Sequence, residues 1–265
     1  MVILSDIIRY IENKAGHKLY EDEGIKFGEV RKNTVKGITI CWTVSPDAIR
    51  WAAERGHNII LCHEALTQPY PSFEKSKQRK YLAWPTNMQR IDLLVKNNIT
   101  VCRVHFTMDE LYIYKAFCEQ IGAAKIIAEN EESAFAKIYS IEQISYIDLI
   151  VRIKKLFKLN GIRATNGSPD KIIKTIGVAW GGLGLFVNVG YMESLIELGD
   201  IDVMICGETD NYGMRFCKEI GIDVIETSHE ISENDGLRIF TKDLAAEFPT
   251  LDIKFFENKT IWSMY

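Results

Sequence analysis

The chain has 265 residues, 47% of them apolar and 26% charged. That is enough for a sizeable core and, at roughly 150 residues per domain, for one large domain or two small ones. Its 32 basic and 36 acidic residues leave a net charge of −4, which argues against broad nucleic-acid coating or membrane adhesion.

In chain order, Ser5-Asp6 reads as an N-cap before an amphipathic helix that buries Ile7, Ile8 and Ile11. The start lacks the basic residues and apolar block of a signal peptide. Gly37–Thr43 is a short apolar strand, and Ser45-Pro46-Asp47 caps a helix running to about Arg55-Gly56. Asn58–Cys62 is a fully apolar strand ending on His63-Glu64, and a polar, aromatic loop follows to about Trp84. Thr86–Lys96 is helical, and Ile99–Val104 is the next strand, ending at His105. Residues 129–171 carry a helix, Ile144–Phe157, and a turn-rich segment, Asn166-Gly167-Ser168-Pro169, which reads as a hinge or a subdomain boundary.

The second half repeats the order of the first. Ile172–Ala179 is a strand, followed by a glycine loop and a helix at Tyr191–Leu198. Asp202–Cys206 is a strand ending on Gly207-Glu208, Tyr212–Ile220 is a helix, and Asp223–Thr227 is a strand leading to His229. Each half therefore reads strand, helix, strand, helix, strand. The strands are continuously apolar, as in a sheet covered on both faces. The expected organisation is a first α/β subdomain over 1–128, a connection over 129–171 and a second α/β subdomain over 172–265, whose last strand either stays there or returns to the first. Thr175–Met192 is uncharged over about 18 residues, the length of a membrane span. Its five glycines and Asn188 make it a strand, a glycine turn and a helix start instead. Six cysteines form no C-x-x-C pair, and most sit inside apolar runs such as Ile59-Ile60-Leu61-Cys62. They read as free buried thiols of a reducing compartment, so a cytoplasmic protein without a membrane partner is expected.

The chemistry gathers at strand ends, where α/β sheets bind ligands. Three of the five histidines stand there, each with a carboxylate close by: His63-Glu64, His105-x-x-x-Asp109 and His229-x-x-x-Glu233. Glu208 marks a fourth end. Imidazole and carboxylate without thiolate is a donor set for zinc, manganese or iron, and a pair of such cations can clamp an in-line displacement. A single histidine or glutamate at a strand end is ordinarily a solvated group, so the repetition carries the signal. His17 and His57 read as surface residues. Gly181-Gly182-Leu183-Gly184 is a close-packed turn or a phosphate cradle. Cys62 and Cys206 read as core thiols before nucleophiles. Lys75, Lys77, Arg79 and Lys80, beside Tyr81 and Trp84, form a basic loop that is either solvated or attracts an anionic small molecule or nucleic acid.

At these residues the chain resembles the dinuclear-metal family named for NGG-one-interacting factor three, also called GTP cyclohydrolase type 2. Tyr20-Glu21-Asp22-Glu23-Gly24-Ile25-Lys26-Phe27-Gly28 is similar to the family's W-D-N-x-G-L-x-x-G. Thr43-Val44-Ser45-Pro46-Asp47 is similar to D-V-T-P-E, and His63-Glu64-Ala65-Leu66 stands in the place of H-H-P-L. His105-Phe106-Thr107-Met108-Asp109 matches H-T-N-L-D, Cys206-Gly207-Glu208 matches T-G-E, and Ser228 to Glu233 matches G-H-x-x-x-E. The resemblance implies two related α/β subdomains, each a mainly parallel or mixed sheet flanked by helices, with a two-metal site in the cleft between them. It implies a toroidal homohexamer and a short form without a large central insertion. Carried over by position, the metal ligands are His63, Glu64, Asp109, His229 and Glu233, holding two divalent ions (zinc, manganese, iron or magnesium). His105 sits beside them, either supporting the ligands or carrying protons, and His105 or Glu208 is expected to move protons. Glu64 replaces a histidine of the family pattern, which favours harder cations such as manganese or magnesium. The function expected is a metal-dependent hydrolase of a nucleotide-like or phosphorylated small molecule. The alternative is a non-enzymatic metal-binding or regulatory assembly.

Overall fold

The computed structural model describes residues 1–28, 34–68, 78–131 and 133–263. Its contacts divide the chain into two compact units, Met1–Tyr112 with Gly236–Asn258, and Ile113–Asp235 with Lys259–Tyr265. In chain order the first contains α1 (Leu4–Ala15), β1 (Gly24–Phe27), β2 (Gly37–Cys41), α2 (Pro46–Glu54), β3 (Ile59–Cys62), α3 (Gln78–Leu82), α4 (Pro85–Asn97), β4 (Thr100–Arg103) and the short α5 (Phe106–Met108). A π-helical turn, Asp109–Ile113, then leads into the second unit. That unit contains α6 (Tyr114–Ile121), β5 (Lys125–Glu129), β6 (Lys137–Ser145), α7 (Tyr146–Leu156), β7 (Arg163–Ala164), β8 (Ile172–Ala179), α8 (Val189–Ile196), β9 (Val203–Cys206), α9 (Asn211–Glu219) and β10 (Asp223–Glu226). The chain continues through α10 (His229–Glu247), whose residues up to Asp235 belong to the second unit and the remainder to the first, and ends in β11 (Asp252–Phe256) of the first unit.

The first sheet has the order β1-β4-β3-β2-β11. β2, β3, β4 and β11 run parallel, while β1 lies antiparallel on β4. Every residue of β2, β3 and β4 is buried, as their unbroken apolar sequences require for strands covered on both faces. Ile60, Cys62, Val44, Ile49 and Leu94 share one core cluster. Ser45 caps α2 by accepting the Ala48 N–H at 3.1 Å, with Pro46 at the first helical position. α1 begins earlier than the Ser5-Asp6 cap implies. Leu4 is already helical, and Asp6 reaches back from inside the first turn to accept the Ile3 N–H at 3.1 Å.

The second sheet has the order β5-β6-β8-β9-β10-β7. β8, β9 and β10 are parallel, β7 is antiparallel to β10, and β6 is antiparallel to β8. The run β8-α8-β9-α9-β10 repeats β2-α2-β3-α4-β4, and in each unit a short antiparallel strand borders the third parallel strand. Met192, Leu195, Met204, Cys206 and Val224 make the matching core. The sequence boundary at 128/129 falls inside a hairpin, because β5 pairs with β6 (Ile126 opposite Tyr139). Residues 129–171 accordingly supply β6, α7 and β7 to the second unit. The helix expected from Ile144 starts at Tyr146, since 137–145 is a strand capped off by Ser145. The uncharged stretch 175–192 divides among β8, the glycine turn and α8. Among the described residues, no helix is long and apolar enough to cross a membrane.

Candidate functional site

In the first unit, β3 and β4 deliver their ends side by side. The His63 N–H reaches Cys41 and Trp42 carbonyls at 3.2 and 3.1 Å, and the Glu64 N–H reaches Trp42 at 2.8 Å. These bonds carry the β2–β3 pairing past its last residue and bury His63 and Glu64. Beyond β4, the Glu23 carboxylate accepts the His105 N–H at 2.6 Å, the Thr107 N–H at 2.9 Å and the Thr107 hydroxyl at 2.6 Å. One side chain therefore shapes the whole turn that carries His105. Asp109 follows one turn later, buried, as the first residue of the π-helical turn, a deviation from α-geometry found frequently at functional sites.

The side chains of this turn converge. Donor atoms of His63, His105 and Asp109 lie within 4.8 Å of one another. His63 Nε2 is 3.7 Å from Asp109 Oδ1, His105 Nε2 is 4.0 Å from Glu64 Oε1, and the two imidazole rings are 4.7 Å apart at 54°. On the other side of His105, Nδ1 is 3.6 Å from Asp22 Oδ2, and that oxygen accepts Arg103 Nη1 at 2.6 Å. The His105 ring and the Arg103 guanidinium hold the Asp22 carboxyl down at about 2, against partial burial. The Cys62 thiol is fully buried and pushed up to about 12 by desolvation, as befits a thiol of the core.

The second unit builds a second set. Glu208 follows β9, and His229 and Glu233 stand one turn apart at the start of α10, so both project from one face of the helix. His229 Nδ1 is 3.0 Å from Glu208 Oε2 and its Nε2 is 3.3 Å from Glu233 Oε1. A neutral imidazole donates to only one of two carboxylates, so the arrangement suits either an imidazolium or a cation held on the other nitrogen. Ser228, at φ +104°, turns the chain from β10 into α10, donating its N–H to Gly207 at 2.7 Å and its hydroxyl to Glu230 at 2.7 Å. Gly181, at φ +54°, lies against this pair; a Cβ there would overlap Glu233 Oε1 and come 3.2 Å from His229 Nε2. The glycine loop is thus a close-packed turn that makes room for the histidine and its carboxylate. Nearby, burial pushes the Glu226 carboxyl above its ordinary value, against the pull of Arg163 at 3.0 Å and the Thr209 N–H at 3.2 Å.

Sequence reasoning thus named His63, Glu64, His105 and Asp109, which the first unit gathers, and Glu208, His229 and Glu233, which the second gathers. It passed over Asp22, Glu23, Arg103 and Gly181 as parts of those arrangements. One surface assignment is corrected. His57 is buried, bonded to Thr39 at 2.9 Å and to Asp252 at 3.0 Å, so it ties β2 to β11, whereas His17 is half-buried against Glu110 at 2.9 Å. Lys75 and Lys77 of the basic loop, and the side chain of Arg79, lie outside the described residues, while Lys80 is exposed.

A model of the Duf34/NIF3 (NGG1p interacting factor 3) family matches residues 2–261. The chain is 26% identical over 253 residues to a Clostridium acetobutylicum protein named GTP cyclohydrolase 1 type 2 homolog, covering 91% of this chain and 89% of that protein. Staphylococcus aureus protein SA1388 superposes with a TM-score of 0.75 at 14% identity, covering 100% of this chain and 99% of its own. A Bacillus cereus protein related to NIF3 gives 0.72 at 14% identity, covering 98% of each chain. These two likenesses show a shared fold.

Proposed function

The chain belongs to the Duf34/NIF3 family, and from that premise we propose that it is a metal-binding protein with a dinuclear centre. The observation that carries this reading is the gathering of His63, His105 and Asp109 donor atoms within 4.8 Å. With His63 and Asp109 buried and His105 half-buried beside them, donors at this spacing suit a shared cation, which would offset their desolvation. The donor set fits a divalent ion. The separations of 3.7 Å (His63–Asp109) and 3.3 Å (His229–Glu233) are both shorter than about 4.2 Å, the sum of two metal–ligand bonds. In this reading His63, Glu64, Asp109, His229 and Glu233 are the ligands. Glu64 adds a charged oxygen donor and biases the centre toward manganese or magnesium over zinc or iron.

When bound, such ions supply Lewis acidity and a nucleophile at neutral pH. The protein would then be a hydrolase of a nucleotide-like or phosphorylated small molecule. His105, with Nε2 toward Glu64, and the half-exposed Glu208 carboxylate are the groups that accept and return protons. The same reading includes assembly into a homo-oligomeric ring and a cytoplasmic setting, in keeping with six cysteines that are all free and buried. Metal content tests the first step. Protein prepared without chelator and resupplied with manganese or zinc should bind two equivalents per chain, and less than one refutes the centre. A nucleotide and phosphoester panel, with GTP first because of the relative's name, should show metal-dependent turnover that Asp109→Ala lowers at least tenfold. Turnover unchanged by that substitution refutes the mechanism. Two bound ions with no turnover would point instead to a non-enzymatic metal-binding assembly.

A further inference from the structure

We propose that Arg103 and Asp22 act as a positioning pair for His105 and His63, setting the geometry of the first donor set without ligating the metal themselves; this rests on the metal-binding reading above. Arg103 is the last residue of β4, and its side chain is only 4% exposed. A guanidinium withdrawn from water is costly unless its donors are met by well-placed partners. Here those partners are the elements that bear the donors. Arg103 Nε donates to the His63 carbonyl at 3.0 Å, and Nη1 donates to Asp22 Oδ2 at 2.6 Å. One planar fork therefore ties the main chain at His63 to the loop preceding β1.

Asp22 passes the constraint on. Its Oδ2 is the atom 3.6 Å from His105 Nδ1, on the far side of the ring from Nε2, which faces Glu64. The next residue, Glu23, holds the His105 main chain at 2.6 Å. Consecutive acids thus address the ring and the backbone of one histidine. The second unit has the same logic in one step, with Glu208 on Nδ1 of His229 and Glu233 on its Nε2. A carboxylate on the remote nitrogen selects the tautomer and orientation of a histidine at a metal site, and the loss of such an outer partner typically lowers metal affinity 10–100-fold. Asp22 is the residue in position to do this for His105, and Arg103 is what keeps Asp22 there.

The test uses the full chain, with cobalt(II) as the probe for affinity and d–d spectrum, and nitrogen NMR of the metal-free protein for the tautomer of His105. Asp22→Asn should leave the Tm within a few degrees, because its side chain is 55% exposed. It should weaken cobalt binding about tenfold, shift the d–d band and convert His105 from one tautomer to a mixture. Arg103→Met should weaken binding 10–100-fold, and Arg103→Lys should recover part of that loss by keeping the charge on Asp22. Combining Asp22→Asn with Arg103→Met should add little to Arg103→Met alone, because the two act as a unit. Wild-type cobalt affinity, spectrum and His105 tautomer in Asp22→Asn would overturn the proposal, whether or not the Arg103 variants fold. If the wild type bound no cobalt, the metal-binding reading would fail, and an unmoved His105 tautomer would still separately reject the pair.

Discussion

Gly181→Ala separates space from backbone strain at the second donor set. The added methyl would overlap Glu233 Oε1 and come 3.2 Å from His229 Nε2. The loop has no room to retreat. The Gly181 N–H donates to Ser232 Oγ at 2.9 Å, its carbonyl accepts the Glu208 N–H at 2.7 Å, and a Cβ on Gly207 would already lie 2.5 Å from both atoms. The Glu233 carboxylate must therefore move by about 1 Å, several times the roughly 0.2 Å tolerance of a metal–ligand bond. The φ of +54° adds the left-handed cost of about 1–2 kcal/mol for alanine, or about 2–8 °C in Tm for a chain of this size. Gly221→Ala is the matched control, because Gly221 has φ +91° with nothing within 4 Å of the added Cβ. In a calorimeter Gly221→Ala should lose Tm by backbone strain alone, and Gly181→Ala by at least as much, because displacing the buried Glu233 carboxylate adds to its strain. Only Gly181→Ala should also lose manganese affinity, by about tenfold or more in a titration. Equal affinities in the two variants would refute the claim that the glycine turn exists to seat Glu233 beside His229.

Glu23→Ala removes the acceptor of three donors in the His105 turn and should cost about 2–5 kcal/mol in urea unfolding; a loss under about 1 kcal/mol would show that water replaces it. Asp223 is buried, which pushes its carboxyl up, yet Lys218 at 2.7 Å, Lys171 at 2.9 Å and the Thr165 hydroxyl hold it net below the ordinary value. Its folded pKa is depressed, so its contribution is fully present above about pH 4–5 and fades as pH falls through the folded pKa; Asp223→Asn should flatten the fall of Tm between pH 5 and pH 2, and an unchanged slope would reject the assignment.

The central strands were legible because each is an unbroken apolar run with a cap or turn behind it. Ile59–Cys62 and Val203–Cys206 are buried at every position, and Ser45-Pro46 opens a helix by a local bond. The bordering strands were not legible. β1 is only half-covered, β5 is exposed over most of its length, and β7 has two residues, so none shows the longer unbroken apolar run of a central strand. His57 looked like a surface residue because its partner, Asp252, lies 195 positions away, and no local signal announces such a contact. The same reason hid Arg103 and Asp22, which are 81 positions apart. A charged residue at the end of an apolar strand is ordinarily solvated, although an arginine inside the run Thr100–Val104 was the available hint. The histidines and carboxylates themselves were readable because a strand end is a place, and the sequence marks where strands stop.

The repeated topology places an ion pair at the same junction in both units, with its charges exchanged. Arg103 ends the third parallel strand of the first unit, opposite Cys62 and beside Gly24 of the antiparallel border strand, and its partner Asp22 precedes that strand. Glu226 ends the third parallel strand of the second unit, opposite Cys206, and its partner is Arg163 of the border strand. If the junction requires a pair and not a particular polarity, Arg163→Glu combined with Glu226→Arg should cost less than the two single changes summed. Each single variant brings two like charges together, one of them at the buried Glu226 position, and should cost about 3–5 kcal/mol. The swapped pair should recover about 1–3 kcal/mol of the summed loss. Full recovery is not expected, because the Thr209 N–H donates to Glu226 Oε2 at 3.2 Å and Arg163 to the Thr209 carbonyl at 3.3 Å, and the exchanged side chains would set donor against donor and acceptor against acceptor, losing both bonds. A double variant as unstable as the sum of the singles, in a urea-unfolding cycle, would show that the Thr209 bonds and not the ion pair hold the border strand in place.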